Sequence, residues 1–177
     1  MTPRILCAGV GNIFFRDDGF GVAVAHRFAQ VGTPDCVRVE DYGIRAVHLA
    51  YELLAGYDAL VLIDALPMAG EPPGTLAVLE PEAPWSTGRG DDVAPVMDAH
   101  IMSPQMVLTT LAHLGGSVGR VLVVGCQPAT VAEGMGLSDP VAAAVDRAVE
   151  MVTRLLTELA RYPKSAVGRE TRTCSDV

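Results

Sequence analysis

The stretch CAGVGNIFFRDDGFG, residues 7–21, sets two adjacent carboxylates, Asp17 and Asp18, just after a glycine-rich turn. Two more polar groups stand in comparable surroundings further along. Asp64 closes the apolar run ALVLID, where an isolated charge is costly unless it is paired or metal-bound. His100 lies in DAHIMSP, just ahead of a helix-patterned segment. Two carboxylates and an imidazole suit a divalent transition metal with open coordination positions, and they equally suit general acid–base work. The donor set alone does not choose nickel over zinc, and its spacing matches no short metal motif.

Each of these residues has a competing reading. Asp17 or Asp18 can cap a helix N-terminus, where a carboxylate is stabilising. Asp64 can cap the turn before Ala65-Leu66-Pro67, and His100 can be an exposed loop residue. The glycine turn also invites a phosphate-binding reading. It holds G-x-G but has Phe14 where a dinucleotide fingerprint has its third glycine, and no basic residue lies inside it. Glu40 or Asp41 is available for a ribose, yet Asp17 and Asp18 place two negative charges where phosphates would sit. A dinucleotide site is disfavoured.

The elements that must position these groups follow from the hydrophobic pattern. Residues 4–9, 59–66 and 120–126 are short, nearly continuous apolar runs, as expected of strands buried on both faces. Residues 37–43 and 75–81 read as strands with less buried faces. Helices are expected over 19–30, where Phe20, Val24 and Phe28 form one stripe, and over 45–55 and 103–114. The longest is expected over 138–161, with Ser138 as N-cap and Pro140 in its first turn. The order predicts an α/β fold: a three-layer sandwich with a mostly parallel, five-stranded twisted sheet and helices on both faces. Polar groups at strand ends then converge, because sites in such sheets form outside the carboxyl ends of the strands. His26, His48 and His113 fall within helical stretches and read as surface or packing residues.

The chain of 177 residues reads as one domain over 1–162, with a disordered tail over 163–177, where periodicity is lost. Half of it is hydrophobic and 19% is charged, which suits a folded core. A net charge of −8 argues against a nucleic-acid partner held through its phosphates. Glu80, Glu82, Asp91, Asp92 and Asp98 oppose only Arg89 over residues 80–98, which reads as a solvated acidic loop. No apolar run reaches the roughly 18 residues that a membrane span needs. The N-terminal apolar run is too short for a signal peptide, so a cytoplasmic location is expected. Cys7, Cys36, Cys126 and Cys174 form no C-x-x-C pair, and Cys7 and Cys126 read as small buried hydrophobes.

With these residues in view, GVGNIFFRDDGFG resembles the opening signature of the hydrogenase maturation endopeptidases. The resemblance continues through DYGIRAVHLAYELL, LVLIDAL, PPGTLAVLEP and RVLVVGCQP, and it covers roughly residues 4–160. It implies an endopeptidase that removes a C-terminal extension from the nickel-loaded precursor of a nickel–iron hydrogenase large subunit. The family's metal-contacting positions fall on Asp18, Asp64 and His100, and a substrate-contacting glycine after the second strand falls on Gly43. Asp18 stands where some members carry Glu, and Pro104 interrupts the segment after His100. The resemblance makes the first loop a metal-contact loop and leaves Asp17 as a helix cap.

It further implies that nickel arrives with the substrate and that the resting enzyme is metal-free; a monomer is expected. No G-x-S-x-G elbow is present and no cysteine adjoins a histidine, which speaks against a covalent nucleophile. Two rivals stay open at this point. One is a hydrolase that permanently holds zinc at the same three residues. The other is a non-catalytic, nickel-dependent chaperone of the precursor.

Overall fold

In a computed structural model the chain is described over residues 2–81 and 104–161. Five strands form one sheet: β1 (Ile5–Val10), β2 (Val37–Gly43), β3 (Ala59–Ala65), β4 (Leu76–Leu79) and β5 (Arg120–Cys126), in the spatial order β2-β1-β3-β5-β4. All neighbours run parallel except β4, which pairs antiparallel with β5. The helices are α1 (Phe20–Phe28), α2 (Ala46–Leu53), α3 (Pro104–His113), α4 (Asp139–Ala142) and α5 (Val145–Arg161). A single 3-10 turn, Arg16–Gly19, leads into α1.

The three central strands are apolar at successive positions because both their faces are covered. Ile5, Cys7, Val61, Ile63, Leu122 and Val124 share one core with α1 and α5. Leu6, Ala8, Leu60, Leu62, Val121 and Val123 share the other with α2 and α3. Helix α5 presents Ala148, Val149, Val152, Leu156 and Leu159 to the first core, a stripe of helical period. Fully burying each of its larger apolar side chains is worth roughly 1.5–3 kcal/mol before conformational entropy is counted. The expected three-layer α/β architecture is therefore observed.

Two expectations need correction. Residues 138–161 are not one helix: the chain breaks at Ala143 and Ala144, where the Ala144 amide bonds back three residues to Val141. The break lets Val141 and Ala144 both enter the core beneath the sheet. Ser138 has the extended backbone of an N-cap, but its side chain makes no capping bond. The 163–177 tail, Cys174, and the acidic stretch beyond Glu80 and Pro81 lie outside the described residues. Glu80 itself holds Arg120 through two bonds of 2.8 and 2.9 Å. No helix of the described residues is long and apolar enough to cross a membrane.

The glycines of the opening motif serve packing. Gly21 begins α1 where the helix lies against the sheet: a Cβ there would overlap the Ile63 and Val10 carbonyl oxygens and lie 2.7 Å from the Val10 nitrogen. Gly9 is the reciprocal gap, with its missing Cβ directed at the Gly21 carbonyl and 2.7 Å from the Ala25 Cβ. Helix and strand backbones meet through these two positions.

Candidate active site

The strand order reverses between β1 and β3, since the chain leaves β1 for β2 on one side and then crosses to β3 on the other. Such a switch point opens a crevice at the carboxyl ends of the strands. The acidic residues come to this crevice by two routes.

Asp64 is the penultimate residue of β3, paired in register with Gly125 of β5, and only 5% exposed. Asp18 arrives on the 3-10 turn after β1, which packs on β3. Its Oδ2 accepts the Asn12 N–H at 2.7 Å. Gly11 makes that approach possible: its φ is +124°, and a Cβ there would collide with the Asp18 carbonyl. Asn12 Oδ1 in turn accepts the Phe14 N–H at 3.0 Å, which closes the loop.

The two carboxylates press on each other. Burial first, and the nearby charge of Asp18 second, hold the Asp64 carboxyl well above the usual carboxylate range, against a lowering contribution from the Ala65 N–H. Burial also raises Asp18, partly offset by the Asn12 N–H. Among the described residues, no ion pair engages either group. Such a pair favours binding a proton or a cation, and its hard oxygen donors fit a divalent metal ion. Two carboxylates leave most of a metal's coordination positions to other donors.

Asp17 behaves quite differently. It is completely buried and does not cap α1. Its Oδ2 accepts the Ala129 N–H at 2.8 Å, the Thr130 N–H at 3.0 Å and the Ser138 hydroxyl at 2.8 Å; its Oδ1 accepts the Ser138 N–H at 2.6 Å. Burial pushes the carboxyl up, but the bonds from Ser138, Thr130 and Ala129 outweigh it and hold Asp17 below the ordinary range. The helix-cap readings of Asp17 and Ser138 are thus corrected together: each satisfies the other. In sequence both look like caps, because residue type and position before a helix are the same in either role. No sequence signal marks the β5–α4 loop as part of the site.

His100 lies outside the described residues. Within them, no group of three or more His, Cys, Asp or Glu side chains is placed to hold a metal. His26, His48 and His113 are exposed on helices, and His26 Nε2 meets Asp41 Oδ2 at 2.8 Å. Gly43, with φ +51°, accepts the Gly11 N–H at 3.0 Å, so the loop after β2 adjoins the loop after β1. Burial pushes the Cys7 thiol up to about 12, and burial together with Asp17 pushes Cys126 up to about 11. Both remain protonated at neutral pH and are poor nucleophiles.

Around the crevice the loops expose large apolar side chains. Phe14 (61% exposed) and Ile13 project from the first loop, Ile44 follows Gly43, and Val131 and Met135 (68%) project from the β5–α4 loop. The Gly11–Gly43 bond joins the first two loops, and Phe14 O accepts the Gly134 N–H at 2.9 Å to join the third. Exposed apolar groups gathered on one surface mark a site for a macromolecule.

The comparisons with known proteins agree with this geometry. A family model described as hydrogenase maturation protease matches residues 22–155. The hydrogenase expression/formation protein HupD of Rhizobium leguminosarum bv. viciae is 34% identical over 158 residues, spanning 88% of this chain and 75% of that protein. The solved hydrogenase-maturating endopeptidase HybD from E. coli is 28% identical, with a TM-score of 0.68 over 88% of this chain and 93% of that one. The crystal structure of a hydrogenase 2 maturation peptidase from a Thaumarchaeota archaeon is 31% identical, with a TM-score of 0.65 over 87% and 98%.

Proposed function

The chain belongs to the hydrogenase maturation protease family, and on that premise we propose that Asp18, Asp64 and His100 contact a nickel ion carried by its substrate. The protein is an endopeptidase, and the substrate is the precursor of a nickel–iron hydrogenase large subunit, from which a C-terminal extension is removed. The observation that carries the metal reading is the buried carboxylate pair at the switch point, which has no ion-pair partner among the described residues. A divalent ion would offset the cost of burying both carboxylates and the charge that Asp18 sets beside Asp64. Nickel in that position would supply Lewis-acid chemistry, either polarising the scissile carbonyl or activating the attacking water.

The protein's own share is to accept the ion, displace a proton and exclude competing ligands. Because protonated carboxyls must release their protons to a metal, recognition strengthens as pH rises through the Asp64 titration. Two carboxylates and one imidazole bind weakly alone, so the precursor's own donors complete the coordination. We take the enzyme as a cytoplasmic monomer, a setting that its free thiols Cys7, Cys36 and Cys126 suit.

The test is to compare nickel-loaded and nickel-free precursor by the mass of the product. Cleavage follows the precursor's nickel content, and the purified protease holds well under one metal ion per chain. Efficient cleavage of nickel-free precursor overturns the proposal. A stoichiometric zinc ion whose removal ends activity establishes the resident-metal hydrolase instead.

The apolar rim makes a second expectation. Phe14→Ser and Met135→Ser each raise KM for the folded precursor on the order of 10-fold, as when one large apolar side chain no longer buries itself against the substrate, with kcat within about twofold. Steady-state kinetics on the two variants decides it, and an unchanged KM removes the rim from substrate binding.

A further inference from the structure

We propose that Asp17 is the positioning residue for Asp18: it fixes the rotation of the 3-10 turn by fastening it to the β5–α4 loop. The inference rests on the endopeptidase reading above and assigns a role to a residue outside the metal-contacting set. A 3-10 turn advances about one third of a rotation per residue. Once Asp17 is pinned toward the loop, the direction of its neighbour Asp18 toward the end of β3 is set.

The pinning is extensive. Besides the four bonds to its carboxylate, the Asp17 N–H donates to Thr130 O at 3.2 Å, and the Arg16 N–H donates to Gly134 O at 2.9 Å. Phe15 and Gly134 form a parallel bridge. A second observation is independent of these bonds. Arg16 has φ +48°, a left-handed conformation that non-glycine residues adopt at a cost. The turn does not favour this shape by itself; the loop holds it there.

An ionised carboxylate suits the task because it only accepts, and all four of its partners donate. Asparagine fills the same space but turns an NH2 group toward amide donors. The hydroxyl of Ser138 supplies one of the four bonds and is the gentler point of attack.

The experiment measures precursor cleavage by Asp17→Asn, Ser138→Ala and Ser138→Thr beside the parent protein, and follows the Asn12 amide by NMR. That amide reports on Asp18, because it donates to the Asp18 carboxylate. Ser138→Ala lowers kcat about 10-fold and Asp17→Asn about 100-fold, with KM within about twofold, the scale of a reacting group displaced by about 1 Å. Ser138→Thr, which keeps the hydroxyl, stays near the parent. The Asn12 resonance moves in the first two variants and returns in the third. Parental kcat in folded Ser138→Ala with an unmoved Asn12 amide overturns the inference, as does a loss confined to KM. If Asp17→Asn does not fold, the two Ser138 variants decide. A parent protein that fails to cleave overturns the functional reading, and the Asn12 resonance then decides by itself whether Asp17 sets the place of Asp18.

Discussion

Asp64→Asn ends precursor cleavage while the thermal midpoint holds or rises. The two effects separate because the group is costly where it stands. Asp64 is buried at the end of the most apolar strand, faces the charge of Asp18, and has no ion-pair partner among the described residues. Asparagine keeps its shape and removes the charge, so the fold loses little and the repulsion disappears. Activity falls at least about 100-fold, as for loss of a group that acts directly in the chemistry. Asp18→Ala gives a similar loss.

The pH dependence of stability checks the same point. Asp64 binds its proton more tightly in the folded protein than in the unfolded chain. Stability therefore falls as pH rises from the ordinary aspartate value through the raised folded value, and the penalty is complete above it. Asp64→Asn removes that slope. Chemical denaturation across the window, alongside product mass, measures both halves. A midpoint drop of several degrees with activity intact would make Asp64 a structural residue.

Gly21→Ala brings a large loss of stability for a single added methyl. The added carbon meets the Ile63 and Val10 carbonyls and the Val10 nitrogen, all backbone atoms of β3 and β1, and none can turn aside as a side chain can. Overpacking a core costs about 1–3 kcal/mol where side chains can yield. Here the cost is at or above about 3 kcal/mol, a fall in midpoint of roughly 10 °C. Gly32→Ala is the control, since nothing lies within 4 Å of its added carbon. Equal midpoints for the two variants would show that α1 lifts from the sheet without penalty.

The central strands were legible because burial on both faces leaves an unbroken apolar run. The expected 120–126 and 37–43 agree with the observed β5 and β2. The helix stripe of Phe20, Val24 and Phe28 was legible for the same reason, as all three enter the core. The break after Ala142 was not, since alanines are good helix formers and only tertiary packing ends the helix there. Asp18 and Asp64 could be brought together from sequence because strand ends share one edge. The Asp17–Ser138 connection could not: it spans 121 positions, and each partner has a sufficient local explanation as a cap.

The strand order also sets a timetable for synthesis. Once residue 65 is made, β2, β1 and β3 are complete and can pair, but β5 begins about fifty residues later. At 5–20 residues per second, the outer edge of β3 waits roughly 3–10 s for its neighbour. During that interval the strand ALVLIDA offers unpaired amides and carbonyls along one side, and α5, the last of the described elements, has yet to cover one of its faces. Asp64 is the only charged residue in that strand. A charge within an otherwise apolar strand is one of the features by which exposed sheet edges resist association with other chains, and here it is needed only until β5 docks.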